Sequence, residues 1–244
     1  MLRDSIKNLV LDPQVTVKYL LIKYFNFNYE FVKSYFKSLN KPNAVFIWIP
    51  KTAGTSLWST LGGKKLKSIH SIQTQYSNSG IITFGHMSYF HLLSEGLISK
   101  NFDANSYKFA IVRNPYDRAV SLYYFLISRK KIPKDVSFLT FCRMLEKHPV
   151  DSVGLYSVKK LSQCNCQVRW LENVKLDHIG RYENLASDVK IIYSKLRINR
   201  TELLPHYNKS TSEDYRLAYC EESKNIIQRV YKEDFVTLGY SFDL

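Results

Sequence analysis

Short runs of consecutive apolar residues divide a chain that is otherwise mixed. Ala44-Val45-Phe46-Ile47-Trp48-Ile49 is the clearest, an unbroken β-prone run that stops at Pro50. A half-exposed strand would alternate polar and apolar residues, so this run predicts a strand covered on both faces, as in a parallel sheet. Ile81-Ile82-Thr83-Phe84 and Phe109-Ala110-Ile111-Val112 repeat the pattern, and Leu176 to Gly180 repeats it weakly. Between these runs the period changes. The residues from Leu57 suit a helix, as do Tyr116 to about Ser128, introduced by Asn114-Pro115. Leu185, Val189, Ile192 and Leu196 recur at helical spacing and predict a helix that buries one stripe. Strands alternating with helices predict an α/β fold: a mainly parallel central sheet flanked by helices. Ligands of such sheets collect at the carboxyl ends of the strands.

No Pro/Gly/Ser-rich linker, low-complexity tract or repeat interrupts the pattern, and 244 residues with 45% hydrophobic content suit one full-sized core. The expected division is a main domain over 41–244 with residues 1–40 as an N-terminal helical appendage packed on the body. The opening Met-Leu-Arg-Asp does not read as a signal peptide, and Val15 to Phe25 is short and broken by Lys18 and Lys23, so a spanning helix is not expected. With its aromatics set among lysines, the same stretch could instead lie along a membrane as a peripheral contact. Four cysteines, Cys142, Cys164, Cys166 and Cys220, form neither a disulfide framework nor a zinc pattern, and reduced thiols imply a cytoplasmic setting. Nothing in the composition bears on oligomeric state.

A net charge of +14 changes the picture, because so basic a surface concentrates anions. Nucleic acid is not the expected partner, since no helix-turn-helix, zinc-finger or aromatic RNA-binding signature accompanies the charge. Clusters such as Lys64-Lys65-Leu66-Lys67 and Arg129-Lys130-Lys131 are open to a plainer reading as solvated faces.

Two strand ends carry candidate chemistry. After the first strand, Lys51-Thr52-Ala53-Gly54-Thr55-Ser56 offers a cation, a glycine, hydroxyls and the amides of a helix start, which suits a phosphate or sulfate. It is not a Walker A loop, whose lysine comes at the far end. After the third clear run, Arg113-Asn114-Pro115-Tyr116-Asp117-Arg118-Ala119-Val120-Ser121 places a planar phosphate-binding fork at a strand end and a serine two helical turns on.

With both motifs in this order, the chain resembles the sulfotransferases that use 3′-phosphoadenosine 5′-phosphosulfate (PAPS). Ile49 through Ser56 looks like the family's 5′-phosphosulfate loop, and Arg113 through Ser121 like its 3′-phosphate motif. Phe84-Gly85-His86-Met87-Ser88-Tyr89 and Arg118 through Phe125 are similar to the polysaccharide 2-O-sulfotransferase branch. Gly180 through Leu185, Leu204 through Ser210 and Asp234 to Tyr240 are similar to carbohydrate sulfotransferases generally. The resemblance implies a P-loop-like nucleotide-binding fold with PAPS as co-substrate and no metal. It also implies a carbohydrate or glycolipid acceptor, for which an anionic character would suit the charge. Lys51 and the amides of Thr52, Ala53, Gly54, Thr55 and Ser56 would hold the phosphosulfate, Lys51 would also neutralise the leaving oxygen, and Arg113 and Ser121 would hold the 3′-phosphate. Asn208 and Lys209 would close over the nucleotide.

Transfer to a hydroxyl needs a base. Some members of the family use a glutamate soon after the phosphosulfate loop, but this chain has no Asp or Glu from Thr52 to Ser94. His70, His86 and His91 remain in that window, and His86, which follows a predicted strand and Gly85, is the preferred base; the branch it resembles has a histidine there. Glu183 reads better as a residue that stabilises a helix N-terminus than as an acid. Two other classes stay open at this stage. A nucleotide-dependent kinase lacks support because the Walker A loop and the acidic magnesium ligand are missing, and a non-enzymatic polyanion-binding module would explain the charge alone.

Overall fold

A computed structural model of the protein describes residues 44–63, 75–76, 81–94, 98, 100–147, 161–198 and 214–244. The strands are β1 (Ala44–Ile47), β2 (Gln75–Tyr76), β3 (Ile81–Thr83), β4 (Tyr107–Val112) and β5 (His178–Arg181), in the order β2-β3-β1-β4-β5. β1 lies at the centre, parallel to β3 and β4, and β5 runs parallel to β4; the short β2 pairs antiparallel on the edge. The α/β expectation with a mainly parallel sheet therefore holds.

The unbroken apolar run of β1 has its reason in the two layers that cover it. Ala44 and Phe46 face one side, with Leu57, Trp58, Val189 and Ile192 of the covering helices α1 (Gly54–Thr60) and α6 (Leu185–Lys195) and with Leu61, the C-cap of α1. Val45 and Ile47 face the other, with Met87, Leu92, Phe102 and Trp170. Each side chain so buried contributes roughly 1.5–3 kcal/mol, so a polar residue anywhere in this run would be costly. A further apolar cluster joins Tyr116, Leu122 and Leu126 of helix α4 (Pro115–Ser128) to Phe141 of α5 (Phe138–Lys147), Ile227 of α7 (Glu221–Val230) and Phe235 of α8 (Lys232–Leu238). Between β3 and β4 lie the short helices α2 (Tyr89–Ser94) and α3 (Lys100–Asn105).

Boundaries move by one or two residues from the sequence pattern. β5 begins at His178 rather than Leu176, where the Asp177 carboxylate accepts the Lys108 N–H at 2.7 Å. All four cysteines are free. Among the described residues no helix is long and apolar enough to cross a membrane. Residues 1–40, with the Val15 to Phe25 stretch, lie outside the described residues, as do His70, Asn208 and Lys209. Because β1, β3, β4 and β5 all run the same way, their carboxyl ends deliver residues 48–53, 84–86, 113–114 and 182–184 to one edge of the sheet.

Candidate active site

The loop after β1 is held in an unusual backbone conformation. Lys51 and Ala53 both adopt left-handed φ values, 69° and 64°. For non-glycine residues such strain costs on the order of 1–3 kcal/mol each and persists only where the surroundings impose it. Three contacts impose it here. The Thr52 hydroxyl donates to the Ile49 carbonyl at 3.0 Å, Arg118 Nε donates to the Pro50 carbonyl at 3.1 Å, and Arg113 Nη1 donates to the Lys51 carbonyl at 3.2 Å. Left-handed residues on either side of Thr52 form the kind of turn in which successive amides converge on an anion.

Two expectations about this loop need correction. The Thr52 hydroxyl is buried and spent on the turn, so Thr52 can offer a ligand only its amide. Gly54 is required for packing: a Cβ there would lie 1.8 Å from the indole nitrogen of Trp48. The positive φ values fall on Lys51 and Ala53 instead. Thr55 is exposed and Ser56 is buried.

The loop after β4 is held by side chains. Arg113 is buried, with a relative exposure of 5%, contrary to an arginine displayed on an open loop. Its Nε and Nη2 donate to the two Asp117 oxygens at 2.7 Å each, one helical turn on, and its guanidinium lies 4.0 Å from the centre of the Tyr182 ring. Asp117 thus engages the Nε/Nη2 side and the Lys51 carbonyl one Nη1 N–H, which leaves one N–H each on Nη1 and Nη2 for a ligand. The side chain of Asn114 caps α4 by accepting the Tyr116 N–H at 2.9 Å. Glu183 accepts the Asn114 N–H at 2.6 Å, so its carboxylate stabilises the entry to α4 and not the helix that follows it in sequence.

The place of Ser121 follows from helical spacing. Asp117, Ser121 and Phe125 recur every fourth residue and so share one stripe of α4. At one end Asp117 holds Arg113; at the other the Lys51 ammonium sits 4.3 Å from the centre of the Phe125 ring. Ser121 lies between them on that stripe and is buried.

His86 arrives from the end of β3. Its Nδ1 lies 2.8 Å from the Trp48 carbonyl, which can only accept, so Nδ1 carries the proton in the neutral ring and the lone pair is on Nε2. The Trp170 indole donates to the His86 carbonyl at 2.8 Å and fixes the main chain. Burial brings the imidazole down from 6.5 to about 4; the Trp48 hydrogen bond opposes this, and Lys51 and Arg118 add to it. The ring is a neutral acceptor across the physiological range. Of the other histidines, His91 lies on α2 with Nδ1 2.7 Å from Ser88 Oγ, and His178 pairs with Asp188 at 2.9 Å. Neither joins this cluster.

Burial, followed by Arg113, Arg118 and Arg129, lowers the Lys51 ammonium from 10.5 to about 8. Among the described residues Arg113 alone of these four cations is ion-paired, with Asp117. Arg118 is fully buried, and its Nη1 has no hydrogen-bond partner among them. Arg118 has the buried Asp234 carboxylate as a charged neighbour, while Lys51 and Arg129 have no ion-pair partner among the described residues.

The family model for the sulfotransferase family matches residues 34–241. The chain belongs to that family. Its matched span begins inside the segment read as an appendage. A solved structure, the sulfotransferase from Alicyclobacillus acidocaldarius, is similar over 82% of this chain and 95% of that chain, with 18% identity and a TM-score of 0.49. No curated protein matches the chain.

In this sulfotransferase several residues that shape the site were not singled out by sequence. Trp48 both covers Gly54 and orients His86; Asp117, Arg118 and Phe125 sit inside or beside the quoted motif, and their helical spacing from Ser121 was the available signal. Gln167 bonds the Arg113 main chain from 54 positions away, and no local pattern marks it. Among the described residues no group of His, Cys, Asp or Glu is arranged to hold a metal ion.

Proposed function

We propose that the protein transfers a sulfuryl group from PAPS to a hydroxyl of a carbohydrate or glycolipid acceptor. The observation that carries this reading is the grouping of Arg113, Arg118 and Arg129 about the Lys51 ammonium at the end of β1, with Arg113 alone of the four in an ion pair among the described residues. The residues fit a nucleotide with an anionic group at each end: the amides of 52–56 and Lys51 on the phosphosulfate side, the outer edge of Arg113 with Ser121 on the 3′-phosphate side. The donor supplies an activated sulfuryl group. His86 Nε2 takes the proton of the acceptor hydroxyl, and its neutrality makes it ready to do so. Lys51 holds positive charge where the leaving phosphate gains its negative charge, and Phe125 beneath the ammonium limits its wandering.

An anionic acceptor suits the turn beyond α4. Arg129 lies over Phe125 at 5.4 Å, and beyond it Lys130, Lys131 and Lys134 line a recess of about 350 Å³ with Ile127, Ile132 and Pro133. Thermal-shift measurements with 3′-phosphoadenosine 5′-phosphate (PAP), ATP with magnesium, and heparin test the reading. PAP should stabilise the protein at micromolar concentration, and radiolabelled sulfate should pass from PAPS to cell-envelope glycans. A response to ATP with magnesium alone would indicate a kinase, and a response to heparin alone a polyanion-binding module.

A further inference from the structure

Helix α8, near the carboxyl end of the chain, reaches the loop after β4 without containing any residue of the donor site. Asp234 is fully buried, and its carboxylate accepts from the Gln167 amide N–H at 2.9 Å, the Val168 N–H at 3.0 Å and Gln167 Nε2 at 3.3 Å. A buried carboxylate persists only when its oxygens are satisfied in this way. Gln167, fully buried as well, turns its own amide onto Arg113. The Arg113 N–H donates to Gln167 Oε1 at 2.9 Å, and Gln167 Nε2 donates to the Arg113 carbonyl at 2.8 Å. One side chain thus fixes both main-chain polar groups of Arg113, and Asp234 fixes that side chain.

A second route starts six residues later. Gly239, left-handed at φ 65°, ends α8 and turns the chain back so that Tyr240 points at the strand ends. The Tyr240 hydroxyl donates to Glu183 Oε2 at 3.1 Å, while Glu183 Oε1 accepts the Asn114 N–H at 2.6 Å. Arg181 secures the return: its Nη2 donates to the Leu238 carbonyl at 2.5 Å and its guanidinium lies 4.4 Å from the Tyr240 ring centre. The two routes end on consecutive residues, Arg113 and Asn114.

We infer that the segment 234–240 is a two-point clamp on the Arg113–Asn114 turn, with Asp234, Gln167 and Tyr240 as positioning residues for the Arg113 guanidinium where it meets the 3′-phosphate. This rests on the donor reading above. The guanidinium must keep both Asp117 oxygens and the Lys51 carbonyl while presenting its outer edge, and a loosened main chain at residue 113 disperses that geometry. Lys51 and His86 hang from other strands, so the clamp should govern donor affinity and leave turnover at saturation in place; Tyr240→Phe reads this split, because Asp234 also neighbours Arg118, which holds the Pro50 carbonyl beside Lys51. A merely structural role would lower the melting temperature with no change in the affinity of the folded protein.

Two measurements on the full chain test it. In the free protein, amide exchange read by NMR should quicken at Asn114 in Tyr240→Phe and at Arg113 in Asp234→Asn. By calorimetry each variant should bind PAP about three- to tenfold more weakly, the range of one lost hydrogen bond, with kcat at saturating PAPS within about twofold of wild type in Tyr240→Phe. Should Asp234→Asn fail to fold, Tyr240→Phe, which removes one hydroxyl from a partly exposed ring, carries the test. Wild-type exchange at both amides, or unchanged PAP affinity in a folded variant beside a wild type that binds PAP, overturns the clamp. If wild type binds no PAP while exchange quickens as stated, the clamp stands and the donor reading falls.

Discussion

The loop after β1 holds its shape through backbone conformation, whereas the loop after β4 holds its shape through side-chain bonds. In the first, two non-glycine residues are left-handed and the ammonium of Lys51 has an aromatic ring beneath it but no anion among the described residues. In the second the main chain is ordinary, the arginine is already paired with Asp117, and Gln167 and Glu183 fasten the turn. Positive charge that is left uncompensated is free to respond to charge appearing during a reaction; charge that is already paired can only orient a ligand. On the donor reading proposed above, the first loop would take the reacting end of the donor and the second its handle.

The largest expected effect separates these roles directly. Lys51→Ala should lower kcat by about 10²–10³, the cost of removing one preorganised stabiliser of developing charge, with a smaller loss of PAP affinity. Arg113→Ala should instead weaken PAP binding about tenfold or more. It should also lower the melting temperature, because Asp117 is left without its partner. Steady-state kinetics and calorimetry on the pair would break the comparison if Lys51→Ala kept normal turnover at saturation.

Next comes the way each loop is supported. Gly54→Ala drives a methyl into the Trp48 indole and should cost about 1–3 kcal/mol of stability, as overpacking does. Since the Trp48 carbonyl orients His86, kcat should fall with it. Asp117→Asn should cost about 1.5–3 kcal/mol through the lost charge-assisted bonds, and its functional defect should lie in PAP affinity. Urea unfolding with matched kinetics distinguishes them, and a Gly54→Ala protein with normal stability and turnover would remove Trp48 from the argument.

The smallest effects are in pH dependence. His86 at about 4 and Lys51 at about 8 in the free protein place an acid limb of kcat/KM near pH 4 and an alkaline limb near pH 8. His86→Asn should abolish the first; Lys51→Arg, which keeps its charge, should abolish the second while restoring little turnover. Stability has a definite sign as well. Between about pH 4 and 6.5 the unfolded chain binds a proton at His86 that the folded chain refuses, so unfolding becomes easier as pH falls through that window. By the same sign, Lys51 makes the folded state relatively more stable as pH rises from about 8 to 10.5. An acid limb at neutral pH that survives His86→Asn would move the base elsewhere.

The sequence by itself determined the sheet and the location of the site. Unbroken apolar runs of β-prone residues bounded by turn residues favour strands covered on both sides, and parallel strands end on one edge, which is where Lys51, His86 and Arg113 meet. The one-turn spacing of Asp117, Ser121 and Phe125 was legible too, although its use was not. Tertiary structure alone decided what holds these residues. That Gly54 makes room for an indole, that Arg113 is buried against Asp117, that Trp48 selects the His86 tautomer and that Gln167 and Asp234 fasten Arg113 are contacts between positions up to 67 apart in sequence. Local pattern encodes periodicity and turn chemistry; which buried polar group satisfies which other one depends on how the layers close, and that is fixed only when the whole core packs.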